Sequence, residues 1–125
     1  MPIGLKRFAA ALAAIAGLAI CAPAFAHAFL DHASPRVGST VTRSPERVSV
    51  WLTEELEPAF STLRVVDAQG KRVDRNDKRI DPADQTVMHV SVPDLPPGKY
   101  RVIWRALSAD SHVTEGDFTF EVRPR

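Results

Sequence analysis

Sulfur is scarce in this chain of 125 residues: there is one cysteine, Cys21, and there are two methionines, of which one is the initiator. Cys21 sits inside an apolar run near the start, so beyond it there is no thiol for a disulfide, a thiolate metal ligand or a cysteine nucleophile. Charge of one sign is also lacking. Sixteen Lys and Arg against fifteen Asp and Glu leave a formal charge of +1, and no basic face suited to nucleic acid is visible. No apolar run reaches the roughly 20 residues of a membrane-spanning helix. Amphipathic helical periodicity, glycine-rich phosphate loops, HExxH and nucleophile-elbow motifs are absent as well, which leaves little room for the common hydrolytic and nucleotide-dependent chemistries.

What is present begins with an export signal. Lys6 and Arg7 precede the uncharged stretch Phe8–Cys21, and Ala22-Pro23-Ala24-Phe25-Ala26 closes it with an Ala-x-Ala pattern. Cleavage after Ala26 is expected, with residues 1–26 removed and 27–125 forming one exported domain without a membrane anchor. A lipoprotein with Cys21 as the acylated residue is the alternative, disfavoured by Ile20 where a small residue is expected. The remaining 99 residues lose two basic and no acidic side chains, so the formal charge becomes −1.

The period beyond Ala26 is two. Val48, Val50 and Leu52 alternate with Ser49 and Trp51; Leu63 and Val65 with Arg64 and Val66; Met88, Val90 and Val92 with His89 and Ser91; Tyr100, Val102, Trp104 and Ala106 with Arg101, Ile103 and Arg105; Phe118, Phe120 and Val122 with Thr119 and Glu121. Such alternation marks half-buried strands. Prolines fall between these runs, where a missing N–H does no harm to a ladder, and Ala68-Gln69-Gly70-Lys71 reads as a hairpin turn. With a first strand around His27–His32 and a short one at Arg72–Arg75, about seven strands are expected, an all-β sandwich. Trp51, Trp104, Phe118 and Phe120 are expected in its core.

Two places could carry metal chemistry. A chain starting at His27 would present an α-amine and an imidazole on one residue, able to close a chelate on one ion; the plain alternative is an incidental residue at a frayed end. Asp110 and His112 are two apart, so in extended chain a carboxylate and an imidazole point to one side; alone, they read better as a polar turn with Asp110 capping backbone N–H groups. Together they offer three nitrogens and one oxygen without sulfur, a set suited to tetragonal Cu(II), then Ni(II). Glu54 or Glu55 could hydrogen-bond a ligating imidazole. His32 reads as a surface residue or an auxiliary group, and His89, within a strand, as structural.

The run His27-Ala28-Phe29-Leu30, Ser34-Pro35, Val48-Ser49-Val50-Trp51-Leu52-Thr53-Glu54-Glu55, Trp104-Arg105-Ala106-Leu107-Ser108-Ala109-Asp110-Ser111-His112 and Gly116-Asp117-Phe118-Thr119-Phe120 resembles the CopC family of periplasmic copper-binding and copper-resistance proteins. The resemblance implies a Greek-key sandwich, similar to cupredoxins and Ig-like domains. It implies one Cu(II) per chain held by His27 through amine and ring, with Asp110 and His112, and with Glu54 at or beside the metal. It implies work alongside an inner-membrane copper-transport protein, in copper homeostasis or resistance, and no enzymatic activity. The methionine-rich Cu(I) site of some members is not expected, since Met88 stands alone. A copper-dependent oxidative enzyme with a histidine-brace-like site is the alternative.

Overall fold

The computed structural model describes residues 28–125. The strands are β1 (Leu30–Ser34), β2 (Thr40–Val41), β3 (Arg47–Leu52), β4 (Thr62–Val66), β5 (Arg79–Ile80), β6 (Val87–Ser91), β7 (Gly98–Leu107) and β8 (Val113–Val122). They form two four-stranded sheets, ordered β1-β3-β6-β5 and β2-β8-β7-β4. The chain passes from one sheet to the other after β1, β2, β3, β4 and β6, and the hairpins β5–β6 and β7–β8 stay within a sheet. This is the expected sandwich. Among the described residues no helix is long and apolar enough to cross a membrane.

The alternation dictates which face of each strand turns inward. Tyr100, Val102, Trp104 and Ala106 of β7 are buried, as are Phe118, Phe120 and Val122 of β8. Val48, Val50 and Leu52 of β3 and Met88 and Val90 of β6 meet them from the other sheet. Removing this apolar surface from water is the main driving force for the fold. Met88, fully buried, serves the core and is no surface ligand. Trp51 departs from expectation. It lies half-buried on the outer side of β3, with the His32 ring stacked on it at 4.3 Å.

Three departures concern short or polar segments. Arg72–Arg75 is no strand: the Val65 N–H, which a β partner would use, donates instead to the Asp74 carboxylate at 2.7 Å. One bridge, Val66 with Arg72, is all the pairing there. β2 and β5, two residues each, were not expected, and β8 begins at Val113 rather than near Phe118. The turn at Ala68–Lys71 is as read, with Gly70 at a φ of 81°.

The outer face of the β3–β6 pair is also covered, which is why β6 is buried on both sides. His89 is 4 % exposed, with Nδ1 2.7 Å from Ser49 Oγ and Nε2 2.8 Å from Asp81 Oδ2. Asp77 accepts from the Ser91 N–H at 2.7 Å, and Asp84 from the Thr86 N–H and hydroxyl. His89 is therefore structural, as its place in a strand suggested.

Two predictions follow from this packing. A Cβ built on Gly116 would stand 2.8 Å from Trp104 Cζ2. Gly116→Ala should therefore cost about 1–3 kcal/mol, the usual range for overpacking, read as a lower urea midpoint; an unchanged midpoint would contradict the packing. Asp77, Asp81 and Asp84 are each held below the ordinary aspartate value of 3.8, chiefly by hydrogen bonds from Ser91, His89 and Thr86 respectively. A carboxylate depressed in the folded state stabilises above its unfolded pKa and loses that contribution as pH falls through the folded one. Amide exchange over residues 77–86 should accelerate below about pH 4 before the β7–β8 hairpin opens, and Asp81→Asn should weaken that dependence.

Candidate metal centre

The β7–β8 hairpin is paired without interruption from Gly98–Val122 to Leu107–Val113. Such a long ladder delivers residues 108–112 to a fixed place at one end of the sandwich. The Ser108 N–H donates to the His112 carbonyl at 3.0 Å and the Ser111 N–H to the Ser108 carbonyl at 2.9 Å. Ser111 takes a φ of 70° to close the turn. The loop after β3 runs alongside: Ala109 N–H donates to the Glu55 carbonyl at 3.1 Å, Glu57 N–H to the Leu107 carbonyl at 2.8 Å, and Leu56 bridges Ser108.

Asp110 and His112 come together in that turn. Asp110 Oδ2 stands 3.2 Å from His112 Nδ1, with both side chains close to half exposed. The other oxygen, Oδ1, accepts a hydrogen bond from the Ser108 hydroxyl. The Ser108 hydroxyl first, and His112 next, hold the Asp110 carboxyl below the usual carboxylate range, against desolvation that pushes it up. Glu54 lines the same cleft, a space of about 310 Å³ bounded also by Glu55, Ser108, Ala109 and Asp110.

The start of the described chain reaches the same end of the molecule. Ala28 is fully buried, and its carbonyl accepts from the Thr114 hydroxyl, two residues past His112. Phe29 N–H donates to Thr53 Oγ1 at 2.9 Å and Thr53 N–H to the Phe29 carbonyl at 2.8 Å, one residue before Glu54. His27 lies outside the described residues. His32 lies elsewhere on the sandwich, on the outer face of the β1–β3 sheet, with Nδ1 2.6 Å from Asp31. Among the described residues, no three His, Cys, Asp or Glu side chains converge on one point; the pair Asp110–His112 is what the fold assembles there.

Further polar groups were assigned no part in a site from the sequence. Ser108 and Thr114 tie the turn and the chain start together, but a serine or threonine carries no mark of a distant partner. Ser49, His89 and Asp81 form a Ser-His-Asp line, yet Ser49 is 2 % exposed, too buried to attack a substrate. In the copper-free state, carboxyl NMR should find Asp110 titrating below 3.8, moving upward in His112→Ala; a midpoint at or above 3.8 would contradict the geometry.

Comparison with known proteins bears on what this end of the sandwich does. Residues 30–123 match the CopC domain model. The chain is 30 % identical over 114 residues to Protein YobA of Escherichia coli K12, covering 90 % of this chain and 92 % of that one. It is 32 % identical over 99 residues to the copper transport protein CutJ of Bacillus subtilis, covering 78 % of this chain and 18 % of that longer one. The crystal structure of CopC from Methylosinus trichosporium OB3b superposes with a TM-score of 0.74 at 33 % identity, over 79 % of this chain and 96 % of that one.

Proposed function

This chain belongs to the CopC family, and on that premise we propose that it is an exported, periplasmic Cu(II)-binding protein that sequesters or delivers copper, holding one ion through a processed N-terminal His27 together with Asp110 and His112. A copper-binding role follows from the family; the oxidation state, the ligands and the compartment are the proposal. The family is one of copper resistance and transport proteins, so the oxidative-enzyme alternative gives way.

The observation that carries the reading is the bond of Ala28 to the Thr114 hydroxyl at the start of β8, two residues past His112. The residue bonded to Ala28 starts one peptide away from that contact. Two donors about 2.0–2.1 Å from one ion and at right angles to each other stand about 2.9 Å apart. The 3.2 Å between Asp110 Oδ2 and His112 Nδ1 is within a small adjustment of that separation. A terminal amine and a ring nitrogen of His27 would complete a tetragonal set. Glu54, on the wall of a cleft with Asp110, is proposed at or beside the metal, as a ligand or as an acceptor for a ligating amine or imidazole. His32, stacked on Trp51, is assigned no part in the centre.

The proposed partner is an inner-membrane copper-transport protein. What supports this is that the matching region of CutJ is 18 % of a longer chain named a copper transport protein.

Cu(II) should bind the processed chain at one equivalent. One extra residue before His27 should weaken binding by orders of magnitude, because the amine would become a peptide nitrogen; unchanged affinity in a competition titration would remove the chelate. His112→Ala should weaken binding far more than His89→Ala, and equal effects would remove the assignment. Affinity should fall between pH 8 and about pH 5, since amine and imidazole must lose protons to bind.

A further inference from the structure

We propose that Ser108 is the positioning residue of the centre: its buried hydroxyl fixes one oxygen of Asp110 so that only the other faces the metal. This rests on the reading of Asp110 and His112 as ligands, and gives a role to Ser108, which stands in the resembling run Trp104–His112 without one.

Ser108 is 1 % exposed, whereas Asp110 and His112 are close to half exposed. A buried hydroxyl beneath two partly exposed side chains is a support, not a ligand. Two acceptors lie within its reach, Asp110 Oδ1 and the His112 carbonyl, the latter at 3.2 Å. A hydroxyl has one proton to give. The His112 carbonyl could accept it beside the Ser108 N–H, but Asp110 Oδ1 is the nearer acceptor and a charge-assisted bond is stronger, so the proton belongs to the carboxylate. Ser108 thus holds both ends of the Asp-x-His turn: the backbone of His112 by its N–H and the side chain of Asp110 by its hydroxyl. Its own backbone is fixed by the bridge to Leu56.

The consequence concerns how the carboxylate binds. With Oδ1 occupied, Asp110 offers Oδ2 alone, on the side facing His112 Nδ1. A carboxylate free to rotate would spend conformational entropy on binding and could chelate through both oxygens, crowding a four-donor plane. Held by Ser108, it gives one oxygen at one place. Groups of this kind around a metal site commonly change its affinity by about 10- to 100-fold.

The test uses the processed chain and Cu(II). Ser108→Ala should bind about 10- to 100-fold more weakly in a competition titration, with a changed copper hyperfine splitting. Ser108→Thr, which keeps the hydroxyl, should restore the wild-type spectrum. A purely structural serine would lower the melting temperature of the copper-free protein and leave the spectrum of the copper form as it was. Wild-type affinity and spectrum in Ser108→Ala, alongside weak binding in His112→Ala, would overturn the role of Ser108 and leave the centre intact. Wild-type binding in both variants would overturn the centre itself, and the role with it. In the copper-free wild-type protein, the Ser108 hydroxyl proton should exchange slowly with water and show contacts to Asp110. A rapidly exchanging hydroxyl would overturn the proposal independently of any variant.

Discussion

The hydrogen bond from the Thr114 hydroxyl to the Ala28 carbonyl joins residues 86 apart in sequence, and the account of the centre depends on it. Ala28 is fully buried, so this contact is inside the fold rather than at a loose end. With the paired Phe29 and Thr53 bonds beside it, it ties the start of the domain to both sheets at once. The entropy of bringing such distant segments together is a cost of folding. It is met by the packed core, not by the ion. A metal arriving at this end would therefore find a carboxylate, an imidazole and the neighbouring chain start already assembled, and its binding energy need not be spent on closing the loop.

The surrounding structure divides stiffness from exposure. The ten-residue strands β7 and β8 carry the turn at 108–112 on a continuous ladder, and the loop after β3 braces it through Glu55, Leu56 and Glu57. The Asp110 and His112 side chains remain close to half exposed, although His112 Nδ1 itself is buried. The buried histidine has the opposite character. His89, enclosed by Ser49 and Asp81, fastens the 77–86 segment onto the sheet and gains nothing from solvent.

How much of this could be read beforehand followed the physics of each signal. Long strands with one face in the core show period two, so β3, β4, β6 and β7 were legible from their apolar alternation. β2 and β5 have two residues each and no period to detect. The first half of β8, Val113-Thr114-Glu115-Gly116-Asp117, is polar and mostly exposed, and hid the strand's true start. Arg72–Arg75 misled because the Asp74 side chain takes a backbone N–H that a strand would have claimed. Trp51 was expected inside although it alternates with Val50 and Leu52; its parity, not its hydrophobicity, decided its face. At the centre, Asp110 and His112 were named from their spacing of two in extended chain, but it is the turn, with Ser111 at a φ of 70°, that brings them within 3.2 Å. Glu54 was legible from the acidic loop after β3, and it lines a cleft with Asp110. Ser108 and Thr114 were not, since what they do depends on partners that only the fold supplies.

The central claim is that the two ends of the domain share one copper ion. It is tested most directly by electron paramagnetic resonance of Cu(II) on protein exported with its own leader, with the intact mass measured on the same sample. The account predicts a mass beginning at His27 and a tetragonal spectrum that saturates at one equivalent, with nitrogen couplings from an amine and two imidazoles. A chain beginning elsewhere that gives the same spectrum, or a copper signal indifferent to His112, would contradict it.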